Sequence, residues 1–299
     1  MLLRMSKMDK KLKTNELIET YSEYLIYQKG LSQNTVDSYI SDLKKLSNYL
    51  QNSELSQQNI ENYFLDISVF NYSTSTKKRF YSSIKNFLKY LDEIENLLKI
   101  KVTDIKLKSN KKLPEVLSVD DIEKMISFYS HDSFLNSRNR TIIDVLYSTG
   151  CRVSELCDIS LSDLDLSDYY IKLKGKASKQ RIVPIGTELK HNLLEYLEIR
   201  DNFIQSKGET LFLSKSKNKL DRTAVFRIIK NTALKVSLDE NIHPHTLRHS
   251  AATHMLEGGC DLRTVQEFLG HSSVSTTQIY TKVTKEFLAE AFLESHPRS

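Results

Sequence analysis

The sequence predicts a mainly α-helical protein with a small β-sheet, arranged as an N-terminal helical bundle followed by a mixed α/β domain. Two observations carry this prediction. Apolar residues recur at helical spacing through most of the chain, whereas the pattern typical of strands occurs only around one basic turn, at 169–185. A polar, lysine-rich segment that ends at Pro114 separates the two regions.

Length and composition agree with two globular domains. The chain has 299 residues, 39% hydrophobic and 27% charged. No apolar run reaches the roughly 18 residues of a membrane helix, and the first residues lack a signal-peptide core, so we expect a cytoplasmic protein without membrane contact. The three cysteines, Cys151, Cys157 and Cys260, form no Cys-x-x-Cys pair and predict neither disulfides nor a zinc ribbon.

The positive charge lies in the first third of the chain. Residues 1–112 contain 19 basic and 13 acidic residues, a net charge of +6, while the remainder has 24 basic and 25 acidic residues. A basic module joined to a near-neutral one indicates a polyanion-binding domain attached to a domain with another task. A lysine-rich solvated surface would give the same balance.

Four helices are expected in the first domain, residues 1–105. Their apolar stripes cover 17–25, 36–50 after the cap-like Ser32, 57–66 and 80–91. Helical residues with the charge to contact DNA phosphates are Lys44, Lys45, Lys77, Lys78 and Arg79. Taken singly, residues of this kind more often belong to a plain solvated helix face.

Residues 106–116 are predicted to be a linker, because the segment is basic and Pro114 disfavours helix before it. The second domain, 117–299, opens with Ser118 as a helix cap ahead of two aspartates. Its helices are expected at 141–148, from 152, at 189–197, at 225–234 and from Pro244, with a hairpin of strands 169–174 and 181–185. Glycines 150, 258 and 270 are expected to end helices, and Asp261 to cap one.

Six residues suggest a site that cuts a phosphodiester without a metal: Arg152, Lys176, His245, Arg248, His271 and Tyr280. The reaction needs a nucleophile, stabilisation of charge on the non-bridging oxygens and a proton for the departing alkoxide. Tyrosine is a competent covalent nucleophile, and arginine binds phosphate through two parallel hydrogen bonds. A lysine in a hairpin turn is a mobile proton donor, and histidines exchange protons near neutral pH.

Each of these residues also has an ordinary structural explanation, and only their ordered combination favours the site. His245 and His249 stand four residues apart, as zinc ligands do on a helix. However, the glutamate of the His-Glu-x-x-His motif is absent, because Thr246 stands in its place. We therefore expect no metal and no cofactor, and we expect His249 to be a packed or supporting residue.

The order of the motifs resembles that found in the tyrosine recombinase family, to which proteins of the phage-integrase type belong. The resemblance rests on Gly150-Cys151-Arg152-Val153-Ser154-Glu155-Leu156, Gly175-Lys176, His245-Thr246-Leu247-Arg248-His249, Leu269-Gly270-His271 and Tyr280. It covers nearly the whole chain and is closest to the Xer branch, through 275–281 and the terminal 296–299. Residues 261–266 lean towards the XerD type rather than the XerC type.

The resemblance implies a SAM-like core-binding domain that clamps DNA and a catalytic domain of the tyrosine recombinase type. Tyr280 would attack the scissile phosphate and form a 3′-phosphotyrosyl link. Arg152 and Arg248 would hold the phosphate, and Lys176 would protonate the leaving oxygen. The remaining roles fall to His245 as acceptor of the tyrosine proton, His271 as a phosphate donor, and Glu155 and His249 as supporting residues.

The resemblance also implies partners. These are double-stranded DNA with a short inverted-repeat core site, a homo- or hetero-tetramer with another Xer-type recombinase around a Holliday junction, and an FtsK-like motor. The function implied is resolution of chromosome dimers. Residues 285–299 would contact the neighbouring protomer through an apolar stripe, although an intramolecular capping helix fits the same stripe.

Two rival functions remain at this point. A phage or transposon integrase would share every catalytic residue, but the short N-terminus and the Xer-like tail argue against it. A non-catalytic DNA-binding regulator would explain 261–280 as a helix-turn-helix. That reading leaves Arg152, Lys176, His245 and Tyr280 without a purpose.

Overall fold

The computed structural model describes residues 7–51, 53–69, 72–93, 100, 116–175, 180–204, 209–270 and 282–299, with the backbone alone at 7–13, 68–69 and 282–284. The chain divides into two compact units, Met1–Lys111 and Lys112–Ser299. The predicted class, mainly helical with a small sheet, is confirmed. None of the helices described is long and apolar enough to cross a membrane.

The first unit contains helices wherever the apolar stripes predict them. They are α1 (Lys7–Glu23), which continues as a π-helix (Tyr24–Gln28), α2 (Gln33–Leu50), α3 (Gln57–Val69) and α4 (Thr74–Glu93). Ser32 stands at the N-cap of α2, but its hydroxyl bonds to Thr35 Oγ1 at 2.9 Å instead of to a backbone N–H. Ser32 therefore occupies the N-cap position, but its side chain does not make the capping hydrogen bond to a backbone N–H of α2.

The core of the first unit lies between α2 and α4. Val36, Leu43, Ile84 and Phe87 are fully buried there. A buried polar group joins the same two helices, since Asp42 on α2 accepts a hydrogen bond of 3.0 Å from Ser83 on α4. Burial of this apolar stripe supplies most of the stability of such short helices.

The second unit surrounds α6 (Phe134–Thr149), whose last nine residues are all buried. Its other helices are α5 (Val119–Ser127), α7 (Val153–Asp158), α8 (Thr187–Ile204), α9 (Arg222–Lys235), α10 (Pro244–Glu257), α11 (Leu262–Leu269) and α12 (Lys282–Ser295). The helix α6 begins seven residues before the predicted start, because the Ser133 hydroxyl accepts from the Asn136 N–H and caps it there.

A three-stranded antiparallel sheet in the order β1–β2–β3 covers one side of this unit. The strands are β1 (Leu164–Asp165), β2 (Tyr170–Lys174) and β3 (Gln180–Pro184), of which β1 is too short to have been predicted. Leu173 on β2 pairs with Arg181 on β3, and Ile171 pairs with Val183. These four side chains form the buried face, so one arginine points into the interior.

The end of the chain packs against its own unit. Leu288 and Phe292 on α12 are buried, and the guanidinium of Arg298 bonds to the fully buried carboxylate of Asp144 on α6. Phe287 and Leu293 on the same helix are 51% and 63% exposed. The apolar stripe is therefore divided between an intramolecular contact and an exposed face, and for that face the contact with a neighbouring protomer stays a prediction.

Candidate active site

Arg152 is placed by the turn between α6 and α7. Gly150 ends α6 with φ +54°, a left-handed conformation that suits glycine, and a Cβ there would lie 2.6 Å from a methyl carbon of Leu269. Arg152 follows as the N-cap of α7. Its side chain is 38% exposed, so its guanidinium is accessible to an anion from solvent.

Glu155 holds Arg152 from the first turn of α7. One carboxylate oxygen accepts from the Arg152 guanidinium at 2.8 Å, and the other accepts from the Arg152 backbone N–H at 2.8 Å. Burial raises the pKa of Glu155, but the hydrogen bond and charge of Arg181, followed by the backbone and side-chain hydrogen bonds of Arg152, outweigh this effect and leave the pKa lowered. The carboxylate therefore stays ionised inside the protein.

Arg248 on α10 reaches the same place from another direction. Its guanidinium donates to the carbonyl oxygens of Gly150 and of Leu269, the latter at 2.8 Å. Arg152 donates to the neighbouring carbonyl of Gly270 at 3.2 Å. The predicted pair of arginines is thus brought together at the carboxyl end of α11.

Both arginines keep their charge and have N–H donors to spare. Burial, followed by the charges of Arg152 and Arg181, lowers the pKa of Arg248 to about 10, which leaves it protonated at neutral pH. A guanidinium has more N–H donors than these contacts with described residues use. The arrangement can therefore bind one anion with two fixed cations, as phosphoryl transfer requires.

The histidines of α10 differ from one another. His245 and His249 are exposed, so His249 is not packed, and its role as a supporting residue stays a prediction. The pKa of His245 is lowered by desolvation of its own ring and then by the charges of His243, Arg248 and Arg152. A neutral imidazole one turn before Arg248 can accept a proton beside a bound anion.

Three predicted site residues, Lys176, His271 and Tyr280, lie outside the described residues. The predicted site residues that the structure describes are Arg152, Glu155, His245, Arg248 and His249. In the part of the chain that the structure does describe, no three His, Cys, Asp or Glu side chains are grouped to hold a metal ion.

The basic residues of the first unit are partly engaged. Lys44, Lys45, Lys78 and Arg79 are exposed and Lys77 is half-buried. The Lys45 ammonium lies 4.6 Å from the centre of the Phe80 ring, and the Arg79 guanidinium lies over the same ring at 5.5 Å. Arg79 also approaches Asp42 Oδ1 at 3.1 Å. Lys45 and Arg79 thus both contact the ring of Phe80, and contact with DNA remains a prediction.

Sequence reasoning missed Arg181. Its guanidinium donates to Glu155 at 2.9 Å and to the carbonyl of Phe268 at 3.0 Å, and its side chain is 6% exposed. One signal was available in the sequence. In the alternation of β3, Arg181 and Val183 share a face, so an arginine stands where an inward residue is expected and needs a buried partner.

The chain is similar to known proteins over most of its length. The model of the family described as "Phage integrase family" matches residues 115–286, and the model of "Phage integrase, N-terminal SAM-like domain" matches residues 18–95. The tyrosine recombinase XerD of Staphylococcus epidermidis is 36% identical over 294 residues, covering 95% of this chain and 100% of its own. XerD of Oceanobacillus iheyensis is 37% identical over 293 residues, covering 94% and 98%.

A solved structure also matches. The XerH site-specific recombinase bound to palindromic difH substrate, in a post-cleavage complex, is 26% identical with a TM-score of 0.69. The match covers 93% of this chain and 83% of that one.

Proposed function

The chain belongs to the tyrosine recombinase (phage integrase) family and is a site-specific tyrosine recombinase; from this premise we propose that it cuts and rejoins DNA through a covalent 3′-phosphotyrosyl intermediate on Tyr280. The observation that carries the proposal is the pairing of Arg152 and Arg248. Their guanidiniums are fixed by neighbouring carbonyls at the end of α11, and that of Arg152 is open to solvent.

The two arginines clamp the scissile phosphate and stabilise its pentavalent state. Because the protein already holds them in place, little reorganisation is needed when charge develops in the transition state. One such preorganised donor is worth about 3–4 kcal/mol in other enzymes. Glu155 keeps Arg152 oriented, and His249 is a supporting residue at the edge of the site.

The bond changes balance without a nucleotide cofactor. The phenol oxygen of Tyr280 bonds to phosphorus, and the bond between phosphorus and the 5′ oxygen breaks. His245 takes up the tyrosine proton, Lys176 gives a proton to the leaving 5′ oxygen, and His271 donates to the phosphate. Attack by a 5′-hydroxyl of another strand reverses these steps and rejoins the DNA.

The DNA partner is double-stranded and has a short inverted-repeat core site. The first unit clamps it through Lys44, Lys45, Lys77, Lys78 and Arg79. Four protomers, of this chain alone or with a second Xer-type recombinase, hold a Holliday junction, and an FtsK-like motor regulates them. The full-length similarity to XerD proteins favours chromosome-dimer resolution, in the cytoplasm, over phage or transposon integration.

A nicked suicide substrate tests the reaction. Cleavage of such a duplex releases a short fragment, so the covalent adduct cannot be rejoined and accumulates. We expect wild type to form an adduct that survives denaturant and forms equally in the presence of a chelator. Tyr280→Phe should bind the same DNA without an adduct, and Tyr169→Phe, a change at an exposed tyrosine just before β2, should behave like wild type.

Wild-type protein that binds the duplex but leaves no adduct would overturn the covalent mechanism. An adduct that persists in Tyr280→Phe would move the nucleophile to another residue. A plasmid with two directly repeated core sites tests the recombination outcome, which should be excision. The same plasmid, incubated with and without a second Xer-type recombinase, shows whether this chain acts alone.

A further inference from the structure

Three consecutive carbonyl oxygens at the carboxyl end of α11 each accept a hydrogen bond from a different arginine. Phe268 accepts from Arg181 at 3.0 Å, Leu269 from Arg248 at 2.8 Å and Gly270 from Arg152 at 3.2 Å. The last carbonyls of a helix have no intrahelical partner and carry its negative partial charge. The end of α11 is therefore a template on which three guanidiniums are lined up.

Of the three, Arg181 is not placed to contact DNA. Its side chain is 6% exposed, lies on the buried face of β3 and is ion-paired with Glu155. Arg248 is 8% exposed, but its hydrogen bonds with described residues go to carbonyls and leave its charge for an anion, and the side chain of Arg152 is 38% exposed. The fit around it is close, because a Cβ on Gly270 would lie 3.0 Å from Arg181 Cδ. Gly270 also has φ +68°, so it both ends α11 and leaves space for the arginine.

Arg181 completes an ion-pair chain with Arg152. The carboxylate of Glu155 lies between the two guanidiniums and accepts from each of them. Two cations share this one anion, so Arg152 retains positive charge for a ligand. If Arg181 were absent, Glu155 would neutralise Arg152 alone, and the carbonyl of Phe268 would lose its donor.

We propose that Arg181 is a positioning residue for strand cleavage: by bridging Glu155 and the carbonyl of Phe268, it fixes Arg152 and the end of α11 in the geometry that grips the scissile phosphate. This inference rests on the proposed function. Arg181 acts through Glu155 and the α11 terminus and does not touch the substrate.

The decisive measurement is single-turnover cleavage of the suicide substrate by Arg181→Gln and Arg181→Lys, with single-site binding measured by gel shift. We expect Arg181→Gln to lower the cleavage rate about 100-fold, as misplacement of a reacting group by about an ångström does, with binding changed less than about threefold. Arg181→Lys restores the charge but cannot bridge both acceptors with the same geometry. It should recover part of the lost rate.

A pH profile separates positioning from general destabilisation. The charged or titratable groups that face Glu155 from the described elements are Arg152, Arg181, Arg248 and Cys151. Loss of Arg181 removes the largest influence that holds the pKa of Glu155 down. In Arg181→Gln the rate should therefore fall at low pH through a titration of Glu155, in addition to the titration of His245, and this additional fall should be absent in Glu155→Gln/Arg181→Gln.

Arg200→Lys is the matched control. Arg200 on α8 is also a buried arginine that donates to backbone carbonyls, those of Thr210 and Leu211. Its replacement should lower thermal stability without moving the pH profile. If both Arg181 variants cleave at the wild-type rate with the wild-type profile, or behave as Arg200→Lys does, the positioning role is refuted. Absence of an adduct with wild type would instead refute the proposed function itself.

Discussion

The carboxylate of Glu155 accepts from Arg152 twice, once from the guanidinium and once from the backbone N–H, at 2.8 Å in each case. One acidic side chain therefore begins helix α7 and orients the arginine that its own N-cap residue carries. Local helix formation and the geometry of the catalytic cation depend on the same group, so a change at this position should affect both.

Replacing Glu155 by glutamine should weaken the fold and slow cleavage together. The amide cannot neutralise the buried Arg181, and breaking a buried ion pair from one side costs about 3–5 kcal/mol. We expect the free energy of unfolding in urea to fall by at least about 3 kcal/mol at pH 7, and the single-turnover rate by about 100-fold. Unfolding and cleavage both at wild-type values would show that the carboxylate is dispensable.

The effect of Glu155 on stability should depend on pH in a known direction. Its pKa is lowered in the folded protein, so the carboxylate contributes stability above the ordinary glutamate pKa of about 4.3 and loses this contribution as the pH falls through its folded value. The difference in unfolding free energy between wild type and Glu155→Gln should therefore narrow below about pH 4. A constant difference from pH 7 to pH 3 would contradict this assignment.

The fold could be predicted from the sequence because its signals are local, and the arginine pair could be predicted because the order of the motifs resembles a known family. Gly150 and Gly270 end helices at positions where the backbone is left-handed, and the site residues follow them directly. Arg181 could not be assigned in this way. The alternation of β3 indicates that this arginine faces inward, but its partner Glu155 is 26 residues away and no local pattern in the sequence identifies that partner.

Helix α12 shows a second limit of what the sequence alone predicts. One apolar stripe on α12 fits an intramolecular contact and an intermolecular one equally well from sequence. The structure buries Phe292 against α11, stacked 6.1 Å from the ring of Phe268, and leaves Phe287 exposed. A stripe specifies how much surface a helix can bury but not which partner buries it.

Cleavage should remain fast at a lower pH than an ordinary histidine base would allow. His245 must be neutral to accept the tyrosine proton, and desolvation together with the neighbouring charges lowers its pKa. The rate should therefore fall only below about pH 6.5, the pKa of an unperturbed histidine. A single-turnover pH–rate profile measures this acidic limb, the range in which the cleavage rate falls as the pH decreases.

His245→Gln should slow cleavage and remove that limb. The matched change is His191→Gln, at an exposed histidine on α8 that pairs with Glu195 at 3.1 Å and lies outside the site. It should leave the profile as in wild type. A wild-type limb centred clearly above pH 6.5, or one that persists in His245→Gln, would assign the titration to another group.

Arg79 should have two separable roles, one in DNA binding and one in the stability of the first unit. Its guanidinium lies 3.1 Å from the buried Asp42, and loss of this partner leaves a buried carboxylate with less compensation. Arg79→Ala should lower the free energy of unfolding by about 1–3 kcal/mol. Lys78→Ala, at the exposed neighbouring residue, should change it by less than about 0.5 kcal/mol.

Both variants should weaken DNA binding and reduce the slope of log affinity against log salt by about one, as loss of one phosphate contact does. Fluorescence anisotropy at several salt concentrations measures the slope, and urea unfolding measures the stability. If Arg79→Ala loses stability but keeps the wild-type salt slope, Arg79 is a structural residue of the bundle and not a DNA contact.

The exposed face of α12 is the place to test the predicted contact between protomers. Truncation after Thr284 would also remove Phe292 and Arg298, which are buried in the same unit, so it would confuse assembly with folding. Phe287→Ser and Leu293→Ser avoid this, because those side chains are 51% and 63% exposed. We expect both to weaken cooperative assembly on a two-site duplex and to leave single-site binding and thermal stability unchanged.

Phe292→Ser is the contrasting variant on the same helix. It creates a cavity beside Phe268, and loss of a buried phenylalanine costs about 3–5 kcal/mol. Thermal stability should therefore fall, and any loss of assembly in this variant would follow from the loss of folded protein. Gel-shift titrations with one-site and two-site duplexes give the cooperativity of each variant. Wild-type cooperativity in Phe287→Ser/Leu293→Ser would exclude this face from the protomer contact and leave α12 with the intramolecular role alone, because its other apolar side is already buried.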